Sequence, residues 1–172
     1  NRGDGILLSN SNYNNTIANN TATLNTDYGI DLGNDSSYNV VKDNNVSSNS
    51  CGIKLSQSSY ITFTNNTANS CGIGFLIWGY SNNNVFTNNI ASSNRQYGVK
   101  MDTGNNNTFM NNNFSSNNWG GIYLTNCNNN IFADNTASSH SQNGVYLSNC
   151  NNNTFTNTTV NSNGQNGIYL EY

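Results

Sequence analysis

Residues 121–147 read GIYLTNCNNNIFADNTASSHSQNGVYL. The stretch opens on Gly121-Ile122-Tyr123-Leu124 and closes on Gly144-Val145-Tyr146-Leu147, the same motif one repeat later. Between them lie Phe132, Asn135 at the third place after it, and Ala137 at the fifth. The motif returns in both directions as Gly5-Ile6-Leu7-Leu8, Gly29-Ile30-Asp31-Leu32, Gly52-Ile53-Lys54-Leu55, Gly72-Ile73-Gly74-Phe75, Gly98-Val99-Lys100-Met101 and Gly167-Ile168-Tyr169-Leu170. Its glycines recur at intervals of about 23 residues, a period that marks a stacked repeat. The interval is shortest from Gly52 to Gly72 and longest from Gly72 to Gly98. A second apolar column runs Ile17, Val41, Phe63, Phe86, Phe109, Phe132, Phe155. At the third place after each comes Asn20, Asn44, Asn66, Asn89, Asn112, Asn135 and then Thr158. At the eighth come Asn25, Asn49, Asn94, Asn117, His140 and Asn163, with the third turn out of phase.

Each turn holds three short segments in which apolar and polar residues alternate, separated by Asn, Ser and Gly. Alternation with period two means strands whose side chains point in and out by turns. Three short strands per turn of roughly 23 residues, each aligned with its equivalent in the next turn, predict an all-β parallel solenoid of about seven to eight turns. Parallel crossovers are right-handed, so the coil is expected to be right-handed and single-stranded. One turn cannot bury its own Ile, Leu and Phe; the turns above and below complete the interior. The Asn20, Asn44, Asn66, Asn89, Asn112, Asn135 column is expected to form an amide ladder of the kind that holds flat parallel stacks together. Residues 1–172 form one expected domain, read as a segment of a longer repeat protein or as a subunit whose ends stack on neighbours.

Composition excludes several functions. The net charge is −3 and the five basic residues are scattered, against the basic stripe that nucleic acid needs. No apolar run reaches the roughly 20 residues of a bilayer span. Only 8% of the chain is charged, while 44 of 172 residues are asparagine. That bias alone would fit a disordered tract, but disorder gives no reason for Phe, Ile and Leu to recur at one phase.

The succession Gly-Ile-x-Leu, Ser/Cys-x-x-Asn, Phe-x-x-Asn resembles the parallel β-helix repeat of NosD-type proteins and of carbohydrate-binding and sugar-hydrolase domains, from Gly5 to Leu170. The resemblance implies the fold. It leaves function open among pectate-lyase-like enzymes, phage tailspikes, periplasmic NosD-type proteins and surface proteins.

Candidate sites follow from what breaks the repeat or decorates its outside. Asp27, Asp31 and Asp35 are the only clustered acids. Asp31 falls between inward Ile30 and Leu32 and is expected to face solvent, without the paired carboxylates of a glycosidase. His140 stands in an asparagine column, and no His or Cys cluster has metal-ligand spacing, so neither a metal nor a cofactor is expected. Cys51 and Cys71 each precede a motif glycine in consecutive turns, and Cys127 and Cys150 share one corner position in consecutive turns. Each pair is read as stacked, either bridged or as packed free thiols. Tyr123, Tyr146 and Tyr169 share one outward column, a strip for sugar rings or a neighbouring subunit. Turn four is read as longer than the others, bulging at Trp78 and Tyr80 as a second binding candidate.

Three functions compete. The first is a non-enzymatic extracellular or cell-surface module, a spacer, sheath, fibre or adhesin that assembles with itself end to end. The second is a carbohydrate-binding or polysaccharide-degrading domain. The third is ice binding, through the outward column Thr16, Val40, Thr62, Val85, Thr108, Ile131, Thr154, a face that Lys42 and Met110 interrupt.

Overall fold

In Gly121-Ile122-Tyr123-Leu124 the alternation sends Ile122 and Leu124 inward and Tyr123 outward, and the computed structural model, which describes residues 1–172, places them so. Two parallel sheets wrap one interior. The first has eight strands: β1 (Ile6–Leu8), β3 (Tyr28–Leu32), β5 (Cys51–Ser56), β7 (Ile73–Trp78), β9 (Tyr97–Asp102), β11 (Gly120–Thr125), β13 (Val145–Ser148) and β15 (Ile168–Glu171). The second has seven: β2 (Thr16–Ala18), β4 (Val40–Lys42), β6 (Thr62–Thr64), β8 (Val85–Thr87), β10 (Thr108–Met110), β12 (Ile131–Ala133) and β14 (Thr154–Thr156). Every strand pairs in parallel with its equivalent one turn away, which makes a right-handed parallel β-helix. The third expected strand narrows to one bridged residue per turn, running Thr21, Asn45, Thr67, Ile90, Asn113, Thr136, Thr159.

The interior is built from files rather than from a globular cluster. Phe63, Phe86, Phe109, Phe132 and Phe155 lie face to face with centroids 4.5, 4.5, 4.6 and 4.7 Å apart. That spacing is the strand separation itself, about 4.8 Å, so backbone pairing and ring stacking are satisfied together. Opposite the phenylalanines run Ile30, Ile53, Phe75, Val99, Ile122 and Val145. Ala22, Val46, Ala68, Ala91, Phe114 and Ala137 close the third side.

This third side explains the glycines. A Cβ added at Gly52 would sit 2.5 Å from the Ala68 Cβ and 2.7 Å from the Gly74 carbonyl oxygen. The motif glycine is therefore a close-approach residue with no room for a methyl group.

The same geometry corrects the register of turn four. Ile53 pairs with Phe75, and Phe75 with Val99, so the motif glycine of that turn is Gly74 rather than Gly72. The steps from Gly52 to Gly74 and from Gly74 to Gly98 are then nearly equal, and the apparent long bulge disappears. What remains is a local irregularity at the corner, where Gly79 has φ +68°.

Asparagine does two jobs, one at the corners and one inside. Asn65, Asn88 and Asn111 turn the chain in the left-handed region at φ 55°, 57° and 56°, where Asn is among the few tolerated side chains. The next residue in each doublet points inward to the ladder. Asn20, Asn44, Asn66, Asn89, Asn112 and Asn135 are linked in order by Nδ2–H···Oδ1 bonds of 3.0 Å each. Each accepting Oδ1 also takes a backbone N–H from the turn before, as when Asn66 N donates to Asn89 Oδ1 at 2.9 Å. A second ladder links Asn107, Asn130 and Asn153 at 3.2 and 3.0 Å. A third contains Asn25, Asn49, Asn94 and Asn117, with Cys71 filling the missing place in turn three. An unpaired buried carboxamide would cost about 1–3 kcal/mol; in register they meet partners, except Asn94 Nδ2, which has none.

Candidate functional site

The outer face of the eight-stranded sheet carries the aromatic side chains. Tyr123, Tyr146 and Tyr169 are paired in register on β11, β13 and β15. Tyr123 and Tyr146 lie 4.7 Å apart with planes 8° from parallel, and Tyr169 tilts by 33° at 5.7 Å. Because the rings stack on one another, their faces are occupied. The column offers ring edges and hydroxyls to the outside, not the open faces expected from sequence.

Two aromatic residues outside the expected strip complete the site. Tyr97 on β9 pairs with Gly120, and the absent side chain there lets its ring lean across to Tyr123, 4.8 Å away. Trp119, on the loop before β11, packs edge-on against Tyr97 at 5.6 Å. The loop column continues upward through Gln142 and Gln165. It is held by bonds from the Gln142 N–H to the Trp119 carbonyl and from the Gln165 N–H to the Gln142 carbonyl, both 3.1 Å. Between the loop column and the tyrosine column runs a groove of about 520 Å³ spanning four turns. Asn143 and Asn166 also line it, joined by an Asn166 Nδ2–H···Oδ1 Asn143 bond of 3.0 Å.

The groove is electrically neutral. No Asp, Glu, Lys, Arg or His lines it. Burial, with Tyr123 and Tyr146 close by, pushes the Tyr97 hydroxyl up to about 12. Tyr146 is also raised, first by desolvation and then by its hydrogen bond to Glu171, whose Oε2 accepts at 3.1 Å on the rim. Lys100 stands over the Tyr123 ring with Nζ 5.7 Å from the centroid.

A smaller hollow of about 220 Å³ lies lower on the same face, among Tyr28, Lys54, Leu76, Trp78, Lys100 and Asp102. Trp78 lines it and is 50% exposed, whereas Tyr80, 69% exposed, stands on the adjacent corner outside both hollows. Asp31 is only 6% exposed, contrary to the expectation that it faces solvent. It points outward, but Lys54 of the next turn lies across it, Nζ 2.9 Å from Oδ2. Desolvation raises the Asp31 carboxyl while the lysine's hydrogen bond and charge pull it back. Asp35 does not join this hollow.

The cysteines divide into unequal pairs. Cys51 pairs with Ile73 on β7, whereas Cys71 sits in the asparagine column and donates its N–H to Asn94 Oδ1 at 2.8 Å. The two are therefore not stacked equivalents; the register of turn four, read from Gly72 instead of Gly74, accounts for the expectation. Burial pushes both thiols up. Cys127 and Cys150 do share one corner, the Cys127 N–H donating to Cys150 Sγ at 3.3 Å. Their side-chain hydrogen bond raises the buried Cys127 thiol and lowers the half-exposed Cys150. All four sulfurs are free thiols. His140 occupies the third ladder, with Nδ1 3.1 Å from the Asn117 N and 2.9 Å from the Asn117 carbonyl oxygen, and burial lowers its pKa.

Residues 76–172 match the family described as right handed beta helix region. The chain belongs to the right-handed β-helix family. Residues 1–96 match the family described as periplasmic copper-binding protein (NosD). A mutant of the periplasmic alginate epimerase AlgG superposes with a TM-score of 0.78 at 18% identity over 98% of this chain. The A-module of the mannuronan C-5 epimerase AlgE6 of Azotobacter vinelandii gives 0.71 at 16% over 98%, and pectate lyase Pel9A gives 0.58 at 16% over 84%. At these identities the likeness is one of fold. The chain spans 47%, 54% and 44% of those three chains, about half their length. No curated protein matches it.

The donor set does not fit the copper centre that the NosD description implies. No three His, Cys, Asp or Glu side chains converge. His140 Nδ1 is committed to Asn117, and of the Cys127–Cys150 pair, at another corner, one buried thiol is bonded to the Met101 and Thr125 carbonyls.

Proposed function

We propose that this chain is an extracytoplasmic β-helix module, extracellular or periplasmic, that holds a polysaccharide along the outer face of its eight-stranded sheet without cleaving it. One observation carries the proposal: four consecutive turns align tyrosine edges, an indole and carboxamides along a single groove parallel to the coil axis. A linear polymer with a short repeat is the ligand such a surface suits, and aromatic rings beside amide groups are the side chains that suit sugars. The similar structures support the substrate class, since they are an alginate epimerase, a mannuronan epimerase and a pectate lyase. The NosD description and AlgG are both periplasmic, which supports the location. Retention in native gels cast with different polysaccharides tests this. The wild type is slowed by at least one polymer and Trp119→Ala is not; equal mobility of both proteins in every gel refutes it.

A further inference from the structure

We infer that the groove selects an uncharged glycan and takes it one sugar per turn, discriminating against uronic acid polymers. This rests on the polysaccharide-binding reading above and narrows its ligand. The lining supplies no cation to a carboxylate, and a carboxylate that leaves water without a partner loses its hydration. The Tyr97 and Tyr146 hydroxyls are held neutral, both being raised by burial first. Glu171 stands on the rim, bonded to Tyr146, and the chain carries a net −3, so a polyanion is repelled at that end of the groove. Lys100, at the lower end of the tyrosine column, reaches one ring and lies outside the groove lining.

The polar groups that are present fit sugar hydroxyls. A carboxamide donates and accepts at once, as a pair of neighbouring hydroxyls also does. Gln142 and Gln165 are exposed on the loop wall, one turn apart, and Trp119 continues their column downward. On the opposite wall the tyrosines repeat at 4.7 and 5.7 Å. An extended pyranose chain laid along the axis meets the same two walls at every turn, from Tyr97 to Tyr169. Affinity then grows with oligosaccharide length until the groove is filled at about four units, the number of turns it spans, and levels off.

The test is titration calorimetry of the intact chain against neutral oligosaccharide series (gluco-, manno- and xylo-oligomers) and against oligomers of mannuronate and galacturonate. At least one neutral series is expected to bind about tenfold or more tighter than either uronate series. That affinity is expected to change less than about twofold between low and high salt, because no ion pair is screened. Trp119→Ala and the exposed-site variant Gln142→Ala are each expected to weaken it by about tenfold, with circular dichroism unchanged. Tighter, salt-sensitive uronate binding that Trp119→Ala abolishes overturns the neutral selectivity and leaves the groove reading standing. Binding of either class that both variants leave intact overturns the groove reading itself. Self-association that Trp119→Ala suppresses, with no sugar bound, makes a second copy the occupant and overturns both.

Discussion

His140→Asn is expected to stabilise the protein and to remove part of its acid sensitivity. In the wild type Nδ1 lies 3.1 Å from the Asn117 N and 2.9 Å from the Asn117 carbonyl oxygen, so it accepts from the one or donates to the other according to the tautomer. In either tautomer Nε2 is buried and has no partner. In the turn before, Asn117 shows what an amide does at this place. Its Oδ1 accepts the Asn94 N–H at 2.8 Å, and its Nδ2 donates to the Ala91 and Phe114 carbonyls at 2.9 and 2.7 Å. An asparagine at 140 has the corresponding carbonyls of Phe114 and Ala137 within the same pattern. Removing one buried unpaired polar group is worth about 1–3 kcal/mol, and the smaller side chain gives back about 1 kcal/mol as lost packing. The net gain of up to about 2 kcal/mol raises the melting temperature by up to about 8 °C at neutral pH.

The pH dependence has a definite sign. Burial lowers the folded-state pKa of His140 below its ordinary 6.5, so below that value the unfolded chain binds the proton first. The stability contributed by the neutral ring is whole above 6.5 and is lost as pH falls toward the depressed folded value. The asparagine variant lacks this loss. Asp31, raised by burial, acts with the opposite sign and at lower pH, and it is common to both proteins. Calorimetric melting of both proteins at about pH 7.5 and about pH 5 measures the difference. The variant should melt higher at both, with the gap widening in acid. A variant that melts lower at neutral pH, or a gap that narrows in acid, refutes the ladder account of this residue.

Two further expectations follow from the interior and the corners. Phe109→Ala breaks the ring file between Phe86 and Phe132 and should cost about 3–5 kcal/mol in urea denaturation; a loss below about 1 kcal/mol would mean the file contributes little. Native-state maleimide should label Cys150 first, since Cys51, Cys71 and Cys127 are buried, and mild oxidation should cross-link Cys127 to Cys150 but not Cys51 to Cys71, as read by peptide mapping.

The repeat is legible because a parallel coil demands the same residue type at the same phase in each turn. Phe86, Phe109 and Phe132 can be placed in one file from spacing alone. The register of turn four cannot. Gly72-Ile73-Gly74-Phe75 satisfies the motif at two frames, and a shift between them preserves which side chains face inward. Only packing separates the frames, through the Ala91 Cβ and the Gly98 carbonyl oxygen, each 2.5 Å from where a Cβ at Gly74 would lie. That shift misplaces Cys71 and produces the supposed bulge at Trp78 and Tyr80.

The tyrosine column is visible as a repeat, but its ring orientation is not, since stacking is a property of neighbouring side chains rather than of phase. Trp119 gives no aromatic signal in the repeat because its column holds Gln142 and Gln165. Tyr97 does leave a trace. It precedes Gly98 as Tyr28 precedes Gly29, and only the gap at Gly120 turns it into a wall of the groove. The burial of Asp31 depends on how Lys54 lies down, and a sequence column shows the pairing without the cover.

The most direct measurement of the binding face is side-chain NMR during titration with a neutral oligosaccharide of about four units, the length set by the turns the groove spans. The Trp119 indole N–H and the Gln142 and Gln165 carboxamides should shift together and saturate at one affinity, while the Thr62, Thr87 and Thr154 methyls on the seven-stranded sheet stay still. Shifts confined to those threonines, or to Trp78, with Trp119 unmoved, would contradict the account.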